Sequence, residues 1–166
     1  DYQEPWRYER VHRRLLVMPP HNFEHHKTTS HFRDFLVIYH LAHRELIDNV
    51  FQNSWVVIDE DTERIPDLAV YFRSEVERPQ LPERVPELIF EIVSGTAADR
   101  RRDYQEKRAE YERIGVREYV IVDRFEHRVL VLRLENAHYQ ETELHPADIY
   151  TTPLLPGLEI PLTGVI

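Results

Sequence analysis

The stretch ELIFEIVSGTAADRRRDYQEKRAEYERIGVREYVIVD, residues 87–123, decides the fold. ELIFEIVS is short, apolar and bounded by Gly95, as a buried strand is. Thr96 then opens a helix. Asp99 stands three residues later, so the pair resembles a capping box with Asp in place of Glu. The helix is predicted to run to about Ile114 and to stop at Gly115, a residue suited to the left-handed turn that closes helices. REYVIVD comes next as a strand, and its unbroken apolar run predicts burial on both faces.

The same signals extend outward. YERVHRRLLVMPP is a short strand or a helix end closed by Pro19 and Pro20. From Phe23 to about Ile47, apolar residues including Phe32, Phe35, Leu36, Tyr39 and Leu46 recur at helical spacing and predict one long amphipathic helix. NSWVVIDED and DLAVYF read as strands, and VERPQLPERVP, with three prolines, as a loop. RVLVLRL and HYQETEL form a hairpin around ENA, and TTPLLPGLEIPL is an extended tail that packs on the body. Helix, strands, helix, strands is the order of an α/β (α+β) protein with a mixed central β-sheet flanked by helices.

A length of 166 residues predicts a single domain spanning 1–166. The 42% hydrophobic content supplies a core, the 31% charged content a soluble surface, and no apolar run approaches a membrane span. The lack of cysteine removes disulfides and thiolate metal sites and is compatible with a reducing cytoplasm, the expected location. A net charge of −9 argues against a broad nucleic-acid-binding face, although Arg100, Arg101, Arg102, Lys107 and Arg108 cluster locally. On charge alone that cluster is a solvated face paired with the interleaved acids.

Two carboxylates stand out. Asp67 follows Pro66 at the edge of DLAVYF, and Glu91 lies inside a strand between Phe90 and Ile92. A charge in so apolar a setting needs a partner. A structural salt bridge and a metal site are both open. Two carboxylates from neighbouring strands plus a backbone carbonyl would make an oxygen site suited to Mg²⁺. Lys107 is the third candidate. Glu91 lies roughly 17 Å before the turn at Thr96 along a strand, and Lys107 roughly 15 Å after it along a helix. A helix folding back on its strand would bring the two together. Tyr104, Lys107 and Tyr111 share one helical face. Snorkelling of the lysine head to water is the commoner arrangement for such a residue. Among the 10 histidines, His21 with His25 and His40 with His43 have chelating spacing on a helix. No acidic motif accompanies them, so most are expected at the surface.

The combination IPDL, ELIFEIVS, RRDYQEKRAEYERIGVREYVIVD and LLPGLEIPL resembles the Uma-two family of putative restriction endonucleases, part of the PD-(D/E)xK nuclease superfamily. The resemblance covers nearly the whole chain and is most specific in the middle block, from Asp103 through Asp123. It implies a restriction-endonuclease-like fold. It also implies that Asp67 is the aspartate of the PD half-motif and Glu91 the acid of the second half-motif. The superfamily's lysine two positions later is replaced by Val93; in the family the lysine stands on the following helix, where Lys107 matches it. Glu9 and His25 match two further positions. Arg13 stands where the family has glycine, and Val120 where it has tryptophan, departures of turn geometry and packing.

The activity that the resemblance implies is metal-dependent phosphodiester hydrolysis of nucleic acid, DNA above all. Asp67, Glu91 and the Ile92 carbonyl would hold Mg²⁺ or Mn²⁺, and Lys107 would orient water or neutralise charge. A homodimer would suit cutting both strands of a duplex. Two other readings are a catalytically inactive or regulatory nuclease-fold module that binds a protein or nucleic-acid partner, and a purely structural module with Asp67 and Glu91 far apart.

Overall fold

The computed structural model describes residues 6–166. Its centre is the unit read from residues 87–123. Strand β7 (Leu88–Ile92) runs parallel to β8 (Glu118–Asp123), with Phe90 opposite Val120. A helix crosses between them in three continuous pieces: α2 (Ala97–Arg101), a π-helical turn (Arg102–Glu106) and α3 (Lys107–Ile114). Thr96 and Asp99 cap it reciprocally, as their spacing predicts. Gly115 closes it at φ 85°, where a side chain would crowd its own backbone.

Four more strands complete a six-stranded mixed sheet: β3 (Ile47–Gln52), β6 (Leu68–Phe72), β9 (Arg128–Glu135) and β10 (His138–Leu144), in the order β10-β9-β8-β7-β6-β3. Because side chains alternate along a strand, β7 sends Leu88, Phe90 and Ile92 to one face and Ile89, Glu91 and Val93 to the other. Helix α1 (Phe23–Ala42) covers the first face with Phe32, Leu36 and Tyr39. Full burial of Phe32 or Leu36 contributes about 1.5–3 kcal/mol. The crossing helix covers the second face, with Tyr111 packed against Ile89, Val93 and Tyr119. Leu155, Leu158, Ile160 and Leu162 of the tail join the core on the α1 side.

A four-stranded antiparallel sheet, β2-β1-β5-β4, stands beside this body. It comprises β1 (Arg7–Val11), β2 (Arg14–Met18), β4 (Val56–Asp59) and β5 (Thr62–Arg64). YERVHRRLLVM is thus a hairpin. His12 and Arg13 form its turn at φ 50° and 64°, which explains why glycine suits the second position.

Two expectations need correction. Helix α1 ends at Ala42, not near Ile47, because Ile47 begins β3 and pairs with Phe72. Apolar spacing alone does not distinguish a last helical turn from an inward-facing strand residue. The crossing helix also carries the π turn, in which the Lys107 amide bonds to the Arg102 carbonyl. Among the described residues, no helix is long and apolar enough to cross a membrane.

Candidate metal and phosphate site

Asp67 lies where the small sheet hands over to β6. Leu68 pairs with Phe90, so the same antiparallel register leads from Asp67 toward Glu91. The Asp67 Oδ2 accepts the Ile92 amide at 2.8 Å. Asp67, Glu91 and Lys107 are all buried, with 2–3% of their surface exposed.

Lys107 Nζ donates to Glu91 Oε1 at 2.6 Å, and Tyr111 Oη donates to the same oxygen at 3.0 Å. The ammonium also lies 3.5 Å from Glu9 Oε1 and 3.8 Å from Asp103 Oδ1. Val93 packs in the apolar core, so the ammonium beside Glu91 comes from the facing helix. The π turn places Asp103 and Lys107 on the Glu91 side while Tyr104 reaches Asp123 at 2.8 Å.

Glu9 is the one buried residue of β1. Its Oε1 accepts the Ile65 amide at 3.1 Å and its Oε2 the Arg64 guanidinium at 3.0 Å. Arg64 also grips Glu110 through two bonds of 2.7 and 2.8 Å. The small sheet is therefore tied to the crossing helix through buried charge. Such pairs hold geometry more than they add stability.

Burial pushes the Glu91 carboxyl up to about 8, with Lys107 opposing and Asp67 adding to the rise. Burial also raises Asp103. Burial would lower Lys107, but Glu9, Glu91 and Asp103 together hold it above its ordinary value. These directions fit a Lys107 ammonium that stays charged, with Glu9 as an ionised partner. Burial would likewise raise Asp67, yet His25, His21 and the Ile92 amide outweigh it and leave its carboxyl well below the usual range.

The histidines sharpen the site. His25 Nε2 lies 3.2 Å from Asp67 Oδ2 and 3.0 Å from the Ile92 carbonyl oxygen. His21 precedes the Asn22 cap of α1, and its Nδ1 is 3.6 Å from Asp67 Oδ1. The two rings lie with centroids 3.4 Å apart. The expectation that no acid accompanies this pair is thus corrected: Asp67, distant in sequence, does. Spacing pairs His21 with His25 but cannot supply the acid they share. Asp103 could have been found from its i, i+4 spacing to Lys107, whereas Arg64 and Arg7 carry no local signal.

Asp67 Oδ1 is buried without a hydrogen-bond partner, with His21 Nδ1 3.6 Å and the Arg7 guanidinium 3.8 Å away. A buried carboxylate oxygen left without a hydrogen bond is one that a divalent cation would fill, so the residues fit one. A cleft of ≈180 Å³ is lined by Arg7, His21 and His25, the side chains that face Asp67, and by Gly95, Thr96 and Arg124 among others. Asp67, Glu91 and Lys107 themselves line neither this cleft nor the roomier grooves of ≈400 and ≈510 Å³.

The buried carboxylates also temper the net charge. Glu9, Asp67, Glu87, Glu91, Asp103, Glu118 and Asp123 are buried, against Arg64 and Lys107 among the described basic residues. The exposed surface is therefore less acidic than −9 suggests.

Comparison with known proteins agrees with this architecture. The crystal structure of a putative nuclease belonging to DUF820 from Anabaena variabilis superposes with a TM-score of 0.74, covering 95% of this chain and 88% of that one at 15% identity. The likeness establishes the mixed α+β, restriction-endonuclease-like fold. No curated protein matches the sequence. Residues 2–163 match the family model Uma2, described as putative restriction endonuclease, and the chain belongs to that family.

Proposed function

We propose that this protein is a Mg²⁺- or Mn²⁺-dependent endonuclease that hydrolyses phosphodiester bonds of DNA. The observation that carries this reading is the buried Lys107–Glu91 pair beside Asp67, whose Oδ1 accepts no hydrogen bond. Asp67, Glu91 and the Ile92 carbonyl would hold the ion. When bound, it would lower the pKa of a coordinated water and offset charge on the phosphate oxygens.

The chain's own groups do the rest. Glu9 and Asp103 keep the Lys107 ammonium charged and aimed at Glu91, where it neutralises charge that builds up on a phosphate. Tyr111 fixes the Glu91 carboxyl from the other side. Arg7 and Arg124, on the cleft wall, supply the positive charge that draws in a phosphodiester backbone. The same reading takes residues 1–166 as one nuclease domain that works in the cytoplasm as a homodimer, since two active sites cut two strands most directly.

A second reading, an inactive or regulatory module, is favoured by one contact: His25 Nε2 sits against both Asp67 Oδ2 and the Ile92 carbonyl. The test is cleavage of duplex DNA with Mg²⁺ or Mn²⁺ by the wild type, Asp67→Ala and Lys107→Ala. Loss of activity in both variants supports the nuclease. Activity that survives both refutes this site, and a wild type that cuts neither DNA nor RNA supports the inactive module.

A further inference from the structure

We infer that His21, His25 and Asp67 form a two-histidine, one-carboxylate centre on the cleft side of the site, which takes a borderline transition-metal ion such as Mn²⁺, Co²⁺ or Zn²⁺ in preference to Mg²⁺. The inference rests on Asp67 being a metal ligand, as proposed above, and adds which ion the site selects and which side chains select it.

Three observations converge. First, one donor atom from each of the three residues lies within 4.8 Å of the others. The individual separations are 3.6 Å from His21 Nδ1 to Asp67 Oδ1 and 3.2 Å from His25 Nε2 to Asp67 Oδ2. Ligands each about 2.0–2.2 Å from one ion stand about 3–4 Å from one another. Second, Asp67 Oδ1 is buried and lacks any hydrogen-bond partner, and it is the oxygen that faces His21. Third, His25 Nε2 faces two acceptors, the Ile92 carbonyl oxygen at 3.0 Å and Asp67 Oδ2 at 3.2 Å, with the Thr29 hydroxyl 3.3 Å behind Nδ1. A hydrogen on Nε2 serves both acceptors, and an ion that displaces it would meet the ring nitrogen and both oxygens together.

His21 is suited to the same role: its ring is largely shielded from solvent and turns Nδ1 toward Asp67 Oδ1 at 3.6 Å. Imidazole nitrogens suit Mn²⁺, Co²⁺ and Zn²⁺, whereas Mg²⁺ prefers an all-oxygen shell. The cleft lined by Arg7 and Arg124 reaches His21 and His25 directly, so an ion there would be open to a phosphate.

The test is calorimetric titration of the full metal-free chain with Co²⁺, Mn²⁺ and Mg²⁺, paired with visible absorption of the Co²⁺ form. Expected is Co²⁺ binding at least about tenfold tighter than Mg²⁺, with a spectrum showing nitrogen ligation. His21→Ala should weaken Co²⁺ on the order of 100-fold and leave the melting temperature of the metal-free chain unchanged. His21 lies outside helix α1 and both apolar clusters, so this variant should fold; His25→Asn is the second arm. His138→Ala, a change at an exposed histidine outside the cleft, should keep Co²⁺ affinity. Equal affinity for Co²⁺ and Mg²⁺ overturns the inference, and so does Co²⁺ binding that ignores both histidines. A protein that binds Co²⁺ through His21 but cuts no DNA leaves this centre standing and removes the nuclease. One that cuts through Asp67 and Lys107 but binds Co²⁺ without the histidines does the reverse.

Discussion

Replacing Lys107 by methionine keeps the length of the buried stem and removes its charge. Three carboxylates lie within 3.8 Å of the ammonium: Glu91, Glu9 and Asp103. Removing one member of a buried ion pair costs about 3–5 kcal/mol, because the partner's charge stays behind without compensation. Here the loss should fall toward the lower end. Glu9 keeps its Arg64 and Ile65 bonds, and Glu91 and Asp103 are already pushed up by burial, so both can take protons. In a chain of this size a loss of about 3 kcal/mol lowers the melting temperature by about 6–12 °C. Urea denaturation at neutral pH followed by circular dichroism measures it. Glu91→Gln in the Lys107→Met background should recover part of the loss, with a coupling of about 0.5–3 kcal/mol between the two sites. A Lys107→Met penalty below about 1 kcal/mol, the range of an exposed pair, would mean that the ammonium is not held by these carboxylates and would refute the site geometry.

Other outcomes rest on single contacts. Burial would raise the Glu9 carboxyl, but Lys107, Arg64 and the Ile65 amide hold it below the ordinary glutamate value. Its contribution to stability is therefore fully present above that ordinary value and lost as pH falls through the lower folded-state value. Glu9→Gln should make the acid limb of a melting-temperature profile shallower; an unchanged limb would contradict this. Tyr111→Phe removes one of two donors to Glu91 and should cost about 1–2 kcal/mol in chemical denaturation. No change would mean that Lys107 alone anchors the carboxylate. Arg13→Gly relieves a left-handed residue at φ 64°, at the expense of an exposed bond to Asp61 worth little. It should raise stability by about 0.5–1 kcal/mol, and a lower melting temperature would show the ion pair to be the stronger effect.

The sequence alone determined the central strand, crossing helix and second strand, because capping, apolar runs and a helix-ending glycine are local. The structure agrees from Thr96 with Asp99 to Gly115. It also determined the family, and it marked Asp67, Glu91 and Lys107 as the groups to watch, since carboxylates beside apolar strands are conspicuous. It missed the end of α1, because Leu46 and Ile47 satisfy helical spacing and only pairing of Ile47 with Phe72 assigns the latter to a sheet. It also missed the π turn, for which the residue pattern gave no sign. Tertiary structure decided the rest of the site. Glu9 of β1 meets Lys107 of α3, Arg64 ties the small sheet to the same helix, and His21 and His25 reach Asp67 although β3, β4 and β5 separate them along the chain. Hydrophobic periodicity reports which face of an element is buried. It says nothing of which polar groups share that burial, and the low dielectric that sets their charges exists only once the sheet and both helices have closed around them.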